Sequence, residues 1–295
     1  MKKYAIFITV YKHRSTSMLS NIDKLDSKFD VYIVAQANDP ELEQYYQYKT
    51  ANNIHILVPD VSSIFEKREY IRQFAINNNY DGFFQIDDDV EYVAFSIENS
   101  TPRKTSDTYK NYKCDFNLML NRVIEKSIEY DAAFASVSQY EIMCWRKPHE
   151  VSVNNKLNFA QFVYITTDKI KDISYDTSGE INEDLDILIR LLQHGRKAIC
   201  VGDYGFKINN KAIHNIAAST LYDNSIDKYY KFILNTSAKY HPTLWVKKGI
   251  LRTRYHYKKY WNTTELPPIN DKILDMCKNG QANELIDYLI KQKEK

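Results

Sequence analysis

The most informative part of the sequence is Phe83-Phe84-Gln85-Ile86-Asp87-Asp88-Asp89-Val90, where an apolar, strand-like run ends abruptly in three aspartates. Burying a carboxylate is costly unless a cation pairs with it, and adjacent carboxylates repel one another. Mg2+ and Mn2+ prefer oxygen-rich sites of this kind. The run therefore predicts a divalent cation at the end of a strand, and the alternative is a solvated acidic turn after an edge strand.

The part of the chain that leads to this run alternates between short apolar strands and helices. Strands are predicted at residues 4–11, 31–35, 54–58 and 83–86, and helices at residues 18–28, 41–51 and 65–77. Such alternation is typical of a parallel sheet that is covered by helices on both faces. Ligands bind beyond the carboxyl ends of the strands in these sheets, and the three aspartates lie at such an end.

The remainder of the chain is predicted to extend this sheet and then to become helical. We predict a polar loop at residues 99–113, a helix at 116–130, and strands at 132–138, 159–167 and 197–206. Residues 223–240 and 271–293 are predicted to be helical. The last third therefore differs in character from the strand-rich part before it.

A second acidic element opens the helix that is predicted over residues 182–195. Its apolar stripe has i, i+3, i+4, i+7 spacing and consists of Leu185, Leu188, Ile189 and Leu192. Asn182 suits the N-cap of this helix, and Gly195 suits the C′ position. Glu183 and Asp184 lie in the first turn, where acids either complement the helix dipole or carry chemistry.

Composition excludes several classes of protein. The chain has 295 residues, 44% of them hydrophobic, but no apolar run long enough to span a membrane. Its cysteines form no C-x-x-C pair, and its glycines form neither a G-x-G-x-x-G nor a Walker motif. Because the apolar run near the N-terminus is short and basic residues follow it, we interpret it as a core strand and not a signal peptide, and expect a cytoplasmic protein.

Positive charge is concentrated in one segment. Residues 239–262 contain several Lys and Arg and no acid, although the net charge of the whole chain is only +2. Aromatic residues are interleaved with these cations, which suits phosphate contact combined with base stacking. The segment favours contact with a polyanion. The alternative is an aromatic cluster packed on the C-terminal helices, with the cations solvated.

The aspartate strand and the later helix that opens with Glu183 and Asp184 together resemble the GT-A class of nucleotide-sugar glycosyltransferases, in which a D-x-D motif follows a core strand and an ED pair opens a later helix. The resemblance implies an α/β, Rossmann-like GT-A fold: a mostly parallel central sheet with helices on both faces, plus a C-terminal helical extension. The expected division is a catalytic domain over residues 1–222 and a basic-aromatic extension over residues 223–295. The implied cofactors are Mn2+ or Mg2+ and a nucleotide-sugar donor, most commonly a UDP-sugar.

A narrower resemblance suggests an acceptor. The phage and kinetoplastid glycosyltransferases associated with TET/JBP oxygenases are similar to this chain at the following places: Thr9 and Arg14, residues 68–75, 85–90 and 183–195, and Tyr240-His241-Pro242. These enzymes glycosylate hydroxymethylated pyrimidines in DNA. The implied partner is duplex DNA that carries a base such as 5-hydroxymethylcytosine, in a bacteriophage setting and hence in the host cytoplasm. The chain departs from the group at residues 215–218, where glycines are typical.

The resemblance also assigns roles on the donor side. The expected metal ligands are Asp89, Asp87 and His214, and for His214 the alternative is an ordinary loop histidine. The residues expected to hold the nucleotide sugar are Thr9, Arg14, Arg68, Arg72, Asp87 and Asp88. Arg68 and Arg72 lie one helical turn apart, so they either face the diphosphate together or lie on an exposed helix face.

On the acceptor side, Glu183 or Asp184 is expected beside the reacting hydroxyl, as general base in an inverting enzyme or as an orienting group in a retaining one. Contacts to DNA are expected from Lys247, Lys248, Arg252, Arg254, Lys258 and Lys259. Two other functions fit the same sequence. One is a GT-A enzyme that acts on a surface glycan or polysaccharide, and the other is a non-catalytic nucleic-acid-binding protein.

Overall fold

Ten strands form one central sheet in the part of the chain that the computed structural model describes, namely residues 2–10, 16–98, 109–139, 150–155, 161–179, 183–209, 226–247 and 250–293. In chain order the strands are β1 (Tyr4–Thr9), β2 (Phe29–Val34), β3 (Ile54–Leu57), β4 (Gly82–Asp87), β5 (Val90–Glu98), β6 (Tyr109–Cys114), β7 (Ala132–Gln139), β8 (Val151–Val153), β9 (Phe162–Thr166) and β10 (Lys197–Ile208). Their order in the sheet is β3-β2-β1-β4-β9-β7-β10-β5-β6, and β8 pairs with β10.

Strand direction divides this sheet into two halves. The strands β3, β2, β1 and β4 are parallel neighbours. Among the described strands, β9, β5 and β8 run against all the others, so the antiparallel pairs lie beyond β4. The prediction of a mostly parallel central sheet is confirmed, and the carboxyl ends of β1 and β4 meet at one edge of it.

Helices lie before, between and after these strands. They are α1 (Leu42–Tyr45), α2 (Ile64–Asn77), α3 (Phe116–Glu129), α4 (Glu183–Gln193), α5 (Ile226–Tyr240), α6 (Asp271–Lys278) and α7 (Ala282–Lys293). Short 3-10 turns occupy Leu19–Lys24, Tyr46–Tyr48, Thr167–Lys169 and Tyr257–Tyr260. No helix in the described part of the chain is both long and apolar enough to cross a membrane.

The central strands are buried on both faces, as expected for a sheet between helical layers. In β1, Ile6 and Ile8 belong to one apolar cluster, and Ala5 and Phe7 belong to the cluster on the opposite face. This alternation follows from the two-residue period of a strand. A sheet that is buried on both faces is a rigid platform for side chains at its carboxyl edge.

Two local features fix the helices that carry the acidic and basic motifs. Helix α2 begins with a capping box, in which the Ser63 side chain accepts from the Glu66 N–H and the Glu66 carboxylate accepts from the Ser63 N–H. Helix α4 ends at Gln193, and Gly195 at its C′ position has a φ of +71°, a left-handed conformation that glycine adopts without a Cβ penalty. The prediction of Gly195 as a C′ residue is confirmed, whereas Asn182 lies outside the described residues.

The C-terminal part contains a hairpin that the sequence reasoning missed. Strands β11 (Thr243–Lys247) and β12 (Ile250–Arg254) pair antiparallel between α5 and α6. A third apolar cluster joins this hairpin to α5, α6 and α7, and it includes Leu234, Leu251, Met276 and Leu285. The extension is therefore helical around a two-stranded ribbon. The domain division at residue 222 stays a prediction.

Two further predictions about local structure differ from what is observed. The helix predicted at residues 18–28 is reduced to the 3-10 turn Leu19–Lys24, because Leu25 already has an extended backbone. The end of the predicted 99–113 loop lies in β6, which pairs with β5 as an edge strand. Its polar residues suit a strand at the edge of the sheet better than a central one.

Candidate active site

The first acidic side chain of the site lies where two parallel strands end. Thr9 of β1 and Asp87 of β4 are register partners. The Thr9 hydroxyl Oγ1 donates to Asp87 Oδ1 over 3.0 Å. This hydrogen bond orients the carboxylate of Asp87. Thr9 and Asp87 are distant in sequence but adjacent in the structure, because β1 and β4 pair in parallel.

The other two aspartates form a turn that the backbone holds in place. The Asp88 carbonyl accepts from the Met18 N–H over 3.0 Å, and the Asp89 carbonyl accepts from the Asn209 N–H over 2.8 Å. Both Asp88 and Asp89 are buried. The aspartate turn is therefore fixed from two sides, by the segment after β1 and by the end of β10.

Arg68 of α2 connects the two acidic motifs. Its guanidinium Nη2 lies 3.7 Å from Asp87 Oδ1, and Nε lies 3.3 Å from Glu183 Oε1. Nη1 donates to Asp184 Oδ1 in a close ion pair. Because the Arg68 side chain is almost completely buried, these contacts are poorly screened by solvent. The aspartate strand and the ED helix thus meet around one cation.

Burial changes the acidity of the two carboxyls at the start of α4. It raises the pKa of Asp184 well above its usual range, and the nearby Arg68 guanidinium opposes this shift. Burial also raises the pKa of Glu183, again against the attraction of Arg68. A carboxylate with a raised pKa is a stronger proton acceptor, so this pair has the chemistry of a general base.

Lys67 is a residue of the site that was not among those expected to hold the nucleotide sugar. Its Nζ donates to the Val10 carbonyl over 2.7 Å, and the side chain is buried. Burial lowers the pKa of Lys67 to about 8, while the charges of Asp39, Asp88 and Asp87 oppose the shift. The available signal was its position beside Arg68 on the same helix, but helical spacing alone favoured Arg72.

Arg72 does not face the aspartate turn together with Arg68. Its guanidinium donates to both carboxylate oxygens of Glu69, over 2.8 and 2.7 Å. It also donates to the carbonyls of Ile170 and Lys171. Arg72 lies one turn further along α2, away from the carboxyl edge of the sheet, and there it holds the segment after β9. Arg72 is buried, so it does not lie on an exposed helix face, and its contact with the diphosphate stays a prediction.

Glu69 and Tyr175 connect helix α2, which carries Arg68, to strand β4, which ends at Asp87. The Glu69 Oε2 atom accepts from the Tyr175 N–H over 2.8 Å, and the Tyr175 hydroxyl donates to Gln85 Oε1 over 3.2 Å. Tyr175 therefore bridges α2 and β4 through one backbone and one side-chain hydrogen bond. Nothing in the sequence indicated this role, because it depends on how the segment after β9 crosses the helix.

The predicted DNA-contacting residues that the structure describes lie on or just after the hairpin. Lys247, Arg252, Arg254, Lys258 and Lys259 are all exposed. Trp245 pairs with Arg252 in the register of the hairpin, and the guanidinium of Arg254 lies 5.7 Å from the centre of the Trp245 ring. Three predicted site residues, Arg14, His214 and Lys248, lie outside the described residues.

The described side chains decide whether the protein alone could hold a metal ion. Among the described residues, no three His, Cys, Asp or Glu side chains are grouped so that they could hold a metal ion by themselves. Mg2+ usually rests on one or two carboxylates together with substrate phosphates. The aspartate turn fits that arrangement, in which the donor diphosphate supplies the remaining oxygens, better than a metal site built from protein ligands alone.

Solved structures of similar fold define the class of protein. The S. aureus TarS 1–349 structure in complex with UDP-GlcNAc matches with a TM-score of 0.53 and 11% identity, over 79% of this chain and 65% of that chain. The mannosyltransferase PcManGT from Pyrobaculum calidifontis, in complex with GDP-Man and Mn2+, matches with a TM-score of 0.54 and 10% identity, over 96% and 75%. The fold is that of the GT-A nucleotide-sugar glycosyltransferases.

The family follows from the sequence itself. A model of the TET-associated glycosyltransferase family matches residues 4–215, and the chain belongs to that family. The predicted resemblance is therefore confirmed, and the chain spans 65% of the length of the TarS 1–349 structure. No protein of curated function matches the chain. The family match ends before α5, so it includes neither the hairpin nor the helices around it.

Proposed function

We propose that this glycosyltransferase moves a sugar from a UDP-sugar donor to a hydroxyl group of a hydroxymethylated pyrimidine, or of a sugar attached to it, in phage DNA, with Mn2+ or Mg2+ as cofactor. The observation that carries the proposal is the Arg68 cluster. One buried guanidinium brings the D-x-D strand and the ED helix into one site, so groups for a donor and for an acceptor lie side by side.

The donor half of the site is made of groups that suit a nucleoside diphosphate. Asp87, Asp88 and Asp89 offer carboxylates for a metal–diphosphate complex, and Thr9 orients the first of them. Lys67 adds a buried ammonium close to the same aspartates. A divalent cation bound here would act as a Lewis acid that stabilises the departing diphosphate. His214 is proposed as a further ligand.

The acceptor half of the site contains the general base. Asp184 or Glu183 accepts the proton of the acceptor hydroxyl while that oxygen attacks the anomeric carbon, if the enzyme inverts configuration. Both carboxyls are buried, which raises their pKa values toward the range in which they accept a proton effectively. Arg68 holds the two carboxylates in place and limits their mutual repulsion.

The DNA acceptor is supported by the shape and charge of the hairpin. In the register of β11 and β12, Lys247, Arg252 and Arg254 lie on one face, whereas Leu244 and Leu251 lie on the other and pack on the helices. A two-stranded ribbon fits the major groove of duplex DNA, where a hydroxymethyl group on the pyrimidine ring is presented. Cations on the outer face of such a ribbon would contact phosphates.

The experiment that tests the proposal identifies donor and acceptor together. The protein is incubated with Mn2+, a panel of nucleotide sugars, and duplex DNA containing 5-hydroxymethylcytosine, and the digested nucleosides are analysed by mass spectrometry. We expect the modified nucleoside to gain the mass of one sugar. Unmodified cytosine DNA and oligosaccharide acceptors are run in parallel.

Two variants show whether the mass gain of the nucleoside depends on the candidate active site. Asp184→Asn keeps the shape of the side chain but removes its basicity, so we expect transfer to fall at least a hundredfold. Arg122→Lys changes a partly exposed arginine of α3 that pairs with Glu125 and Asp203, and it should transfer normally. If sugar is transferred to oligosaccharides but not to hydroxymethylated DNA, the proposed DNA acceptor is wrong, although the protein still acts as a glycosyltransferase.

A further inference from the structure

A buried carboxylate in α4 connects the catalytic helix to the C-terminal part of the chain. Asp186 follows the ED pair by two residues, and it is fully buried. Its Oδ1 accepts from Lys239 Nζ over 2.6 Å and from the Tyr240 hydroxyl in a short hydrogen bond. Its Oδ2 accepts from Arg190 Nε over 2.8 Å. A buried carboxylate with three donors is firmly held, because loss of any one leaves it poorly compensated.

The same lysine also reaches the segment that leads into this helix. Lys239 Nζ lies 3.7 Å from Asp176 Oδ2. Burial would raise the pKa of Asp176, but hydrogen bonds from Ser178 and the positive charges of Lys239 and Arg190 lower it. Lys239 therefore lies between two carboxylates, one on each side of Glu183 and Asp184 in the sequence.

Arg190 strengthens this arrangement from within α4. Its Nη2 donates to the Ser174 carbonyl over 2.5 Å and lies 2.5 Å from Asp186 Oδ2. Asp186 is thus linked to the segment before α4 twice. Arg190 of α4 links it to Ser174, and Lys239 of α5 links it to Asp176. Of the two bridging residues, Arg190 lies within the part of the chain that the family match includes and Lys239 lies outside it.

We propose that Lys239 is a positioning residue for transfer: by bridging Asp176 and Asp186, it fixes the segment that carries Glu183 and Asp184 against Arg68. This inference rests on the proposed function for its kinetic consequence. It assigns the C-terminal part a role in the reaction itself, separate from any contact with the acceptor. Misplacement of a general base by about 1 Å costs up to a hundredfold in rate.

The test compares four variants, each with a single substitution. Lys239→Met removes the ammonium, Lys239→Arg retains a cation, and Asp176→Asn removes the contact at one end without touching the buried Asp186. Lys231→Met is the matched control, because Lys231 is an exposed lysine of the same helix. Transfer kinetics, thermal stability and amide hydrogen exchange of residues 174–179 are measured for each folded variant.

We expect Lys239→Met to lower kcat about tenfold while KM for the donor changes less than about twofold. Amide exchange in residues 174–179 should become faster, since the clamp on this segment is lost. Lys239→Arg should restore most of kcat, Asp176→Asn should lower kcat by about threefold, and Lys231→Met should match the wild type. If Lys239→Met does not fold, the Asp176→Asn variant decides the matter.

Two results would overturn the inference. One is a wild-type kcat in Lys239→Met and Asp176→Asn, and the other is a loss that raises donor KM as much as it lowers kcat. Absence of transfer by the wild type with every donor and acceptor would instead refute the proposed function. In that case hydrogen exchange still decides whether Lys239 orders residues 174–179, since unchanged exchange in Lys239→Met contradicts the clamp.

Discussion

Arg68 and Asp184 form an ion pair across the candidate active site, in which Nη1 of the α2 arginine donates to Oδ1 of the first-turn aspartate of α4. The same guanidinium is close to Asp87 and Glu183. One buried side chain therefore sets the spacing between a strand end and a helix start that are far apart in sequence. Any change at Arg68 should disturb donor and acceptor groups together.

Arg68→Lys is predicted to reduce kcat/KM for transfer by about a hundredfold, equivalent to about 2.7 kcal/mol. A lysine retains the charge, but its single ammonium group has no planar fork with which to reach three carboxylates. Steady-state kinetics with a saturating donor, together with a thermal melt, measure the effect. Arg122→Lys is the control, and equal losses in both variants would contradict a special role for Arg68.

The sequence predicted the chemical groups of this site better than their partners. A strand that ends in Asp87, Asp88 and Asp89 and a helix that begins with Glu183 and Asp184 are recognisable because each motif is local. The hydrogen bond from Thr9 to Asp87 follows from the parallel pairing of β1 with β4. Fold class was predictable for the same reason, since short strands alternating with helices favour few topologies.

The positions of the cations were harder to predict. Helical spacing placed Arg68 and Arg72 on one side of α2, but only the rotation of that helix against the sheet decides which cation reaches the carboxyl edge. Lys67 reaches it, and Arg72 instead binds Glu69 and two carbonyls of the segment after β9. Such contacts depend on tertiary packing, which a single sequence does not encode locally.

The hairpin was missed for another reason. Trp245 lies between Leu244 and Val246, and Ile250 precedes Leu251, so the alternation of apolar and polar residues that indicates a half-buried strand is interrupted. The density of Lys and Arg in the same segment favoured an interpretation by charge alone. Contact of the segment with a polyanion stays a prediction, and its backbone conformation went unrecognised.

Lys67→Met is predicted to alter how stability depends on pH. The pKa of Lys67 is lowered from 10.5 to about 8 in the folded protein, so the unfolded chain binds this proton more tightly. Stability of the wild type should then rise between pH 8 and pH 10.5, by at most about 3 kcal/mol. The methionine variant lacks this contribution, so its stability relative to the wild type should fall across that range.

Denaturant unfolding at pH 7.5, 9 and 10.5 measures this difference. Lys28→Met serves as the control, because Lys28 is an exposed lysine that lies outside the site. Parallel stability curves for the wild type and Lys67→Met between pH 8 and pH 10.5 would mean that the ammonium is not destabilised by burial. The same variant should bind UDP more weakly at pH 7, since it lacks a cation beside the aspartates.

Asp89→Ala is predicted to abolish the stabilisation that Mn2+ and UDP give together. A ligand at a hundred times its dissociation constant stabilises a protein by about 2.7 kcal/mol, which is several degrees in Tm. Wild type should show this shift with Mn2+ and UDP but a smaller one with UDP and a chelator. A wild type that Mn2+ and UDP fail to stabilise, or an Asp89→Ala variant with the full shift, would contradict metal-assisted donor binding at the aspartate turn.

Replacing Lys247, Arg252 and Arg254 by glutamine is predicted to weaken binding to duplex DNA and to flatten its salt dependence. These three cations lie on the outer face of the hairpin, opposite the side that packs on the helices. Each phosphate contact contributes about 0.9 to the slope of log K against log salt, so the slope should fall by roughly 2 to 3. Titrations at several salt concentrations measure this slope by fluorescence anisotropy.

The matched control for the hairpin variant replaces Lys28, Lys49 and Lys171 by glutamine. These lysines are exposed elsewhere on the protein, so net charge changes equally. If both triple variants lose the same slope, general charge binds the DNA. Loss confined to the hairpin variant would make β11 and β12 the DNA-contacting element, and this element begins three residues after Tyr240, whose hydroxyl donates to Asp186 of α4.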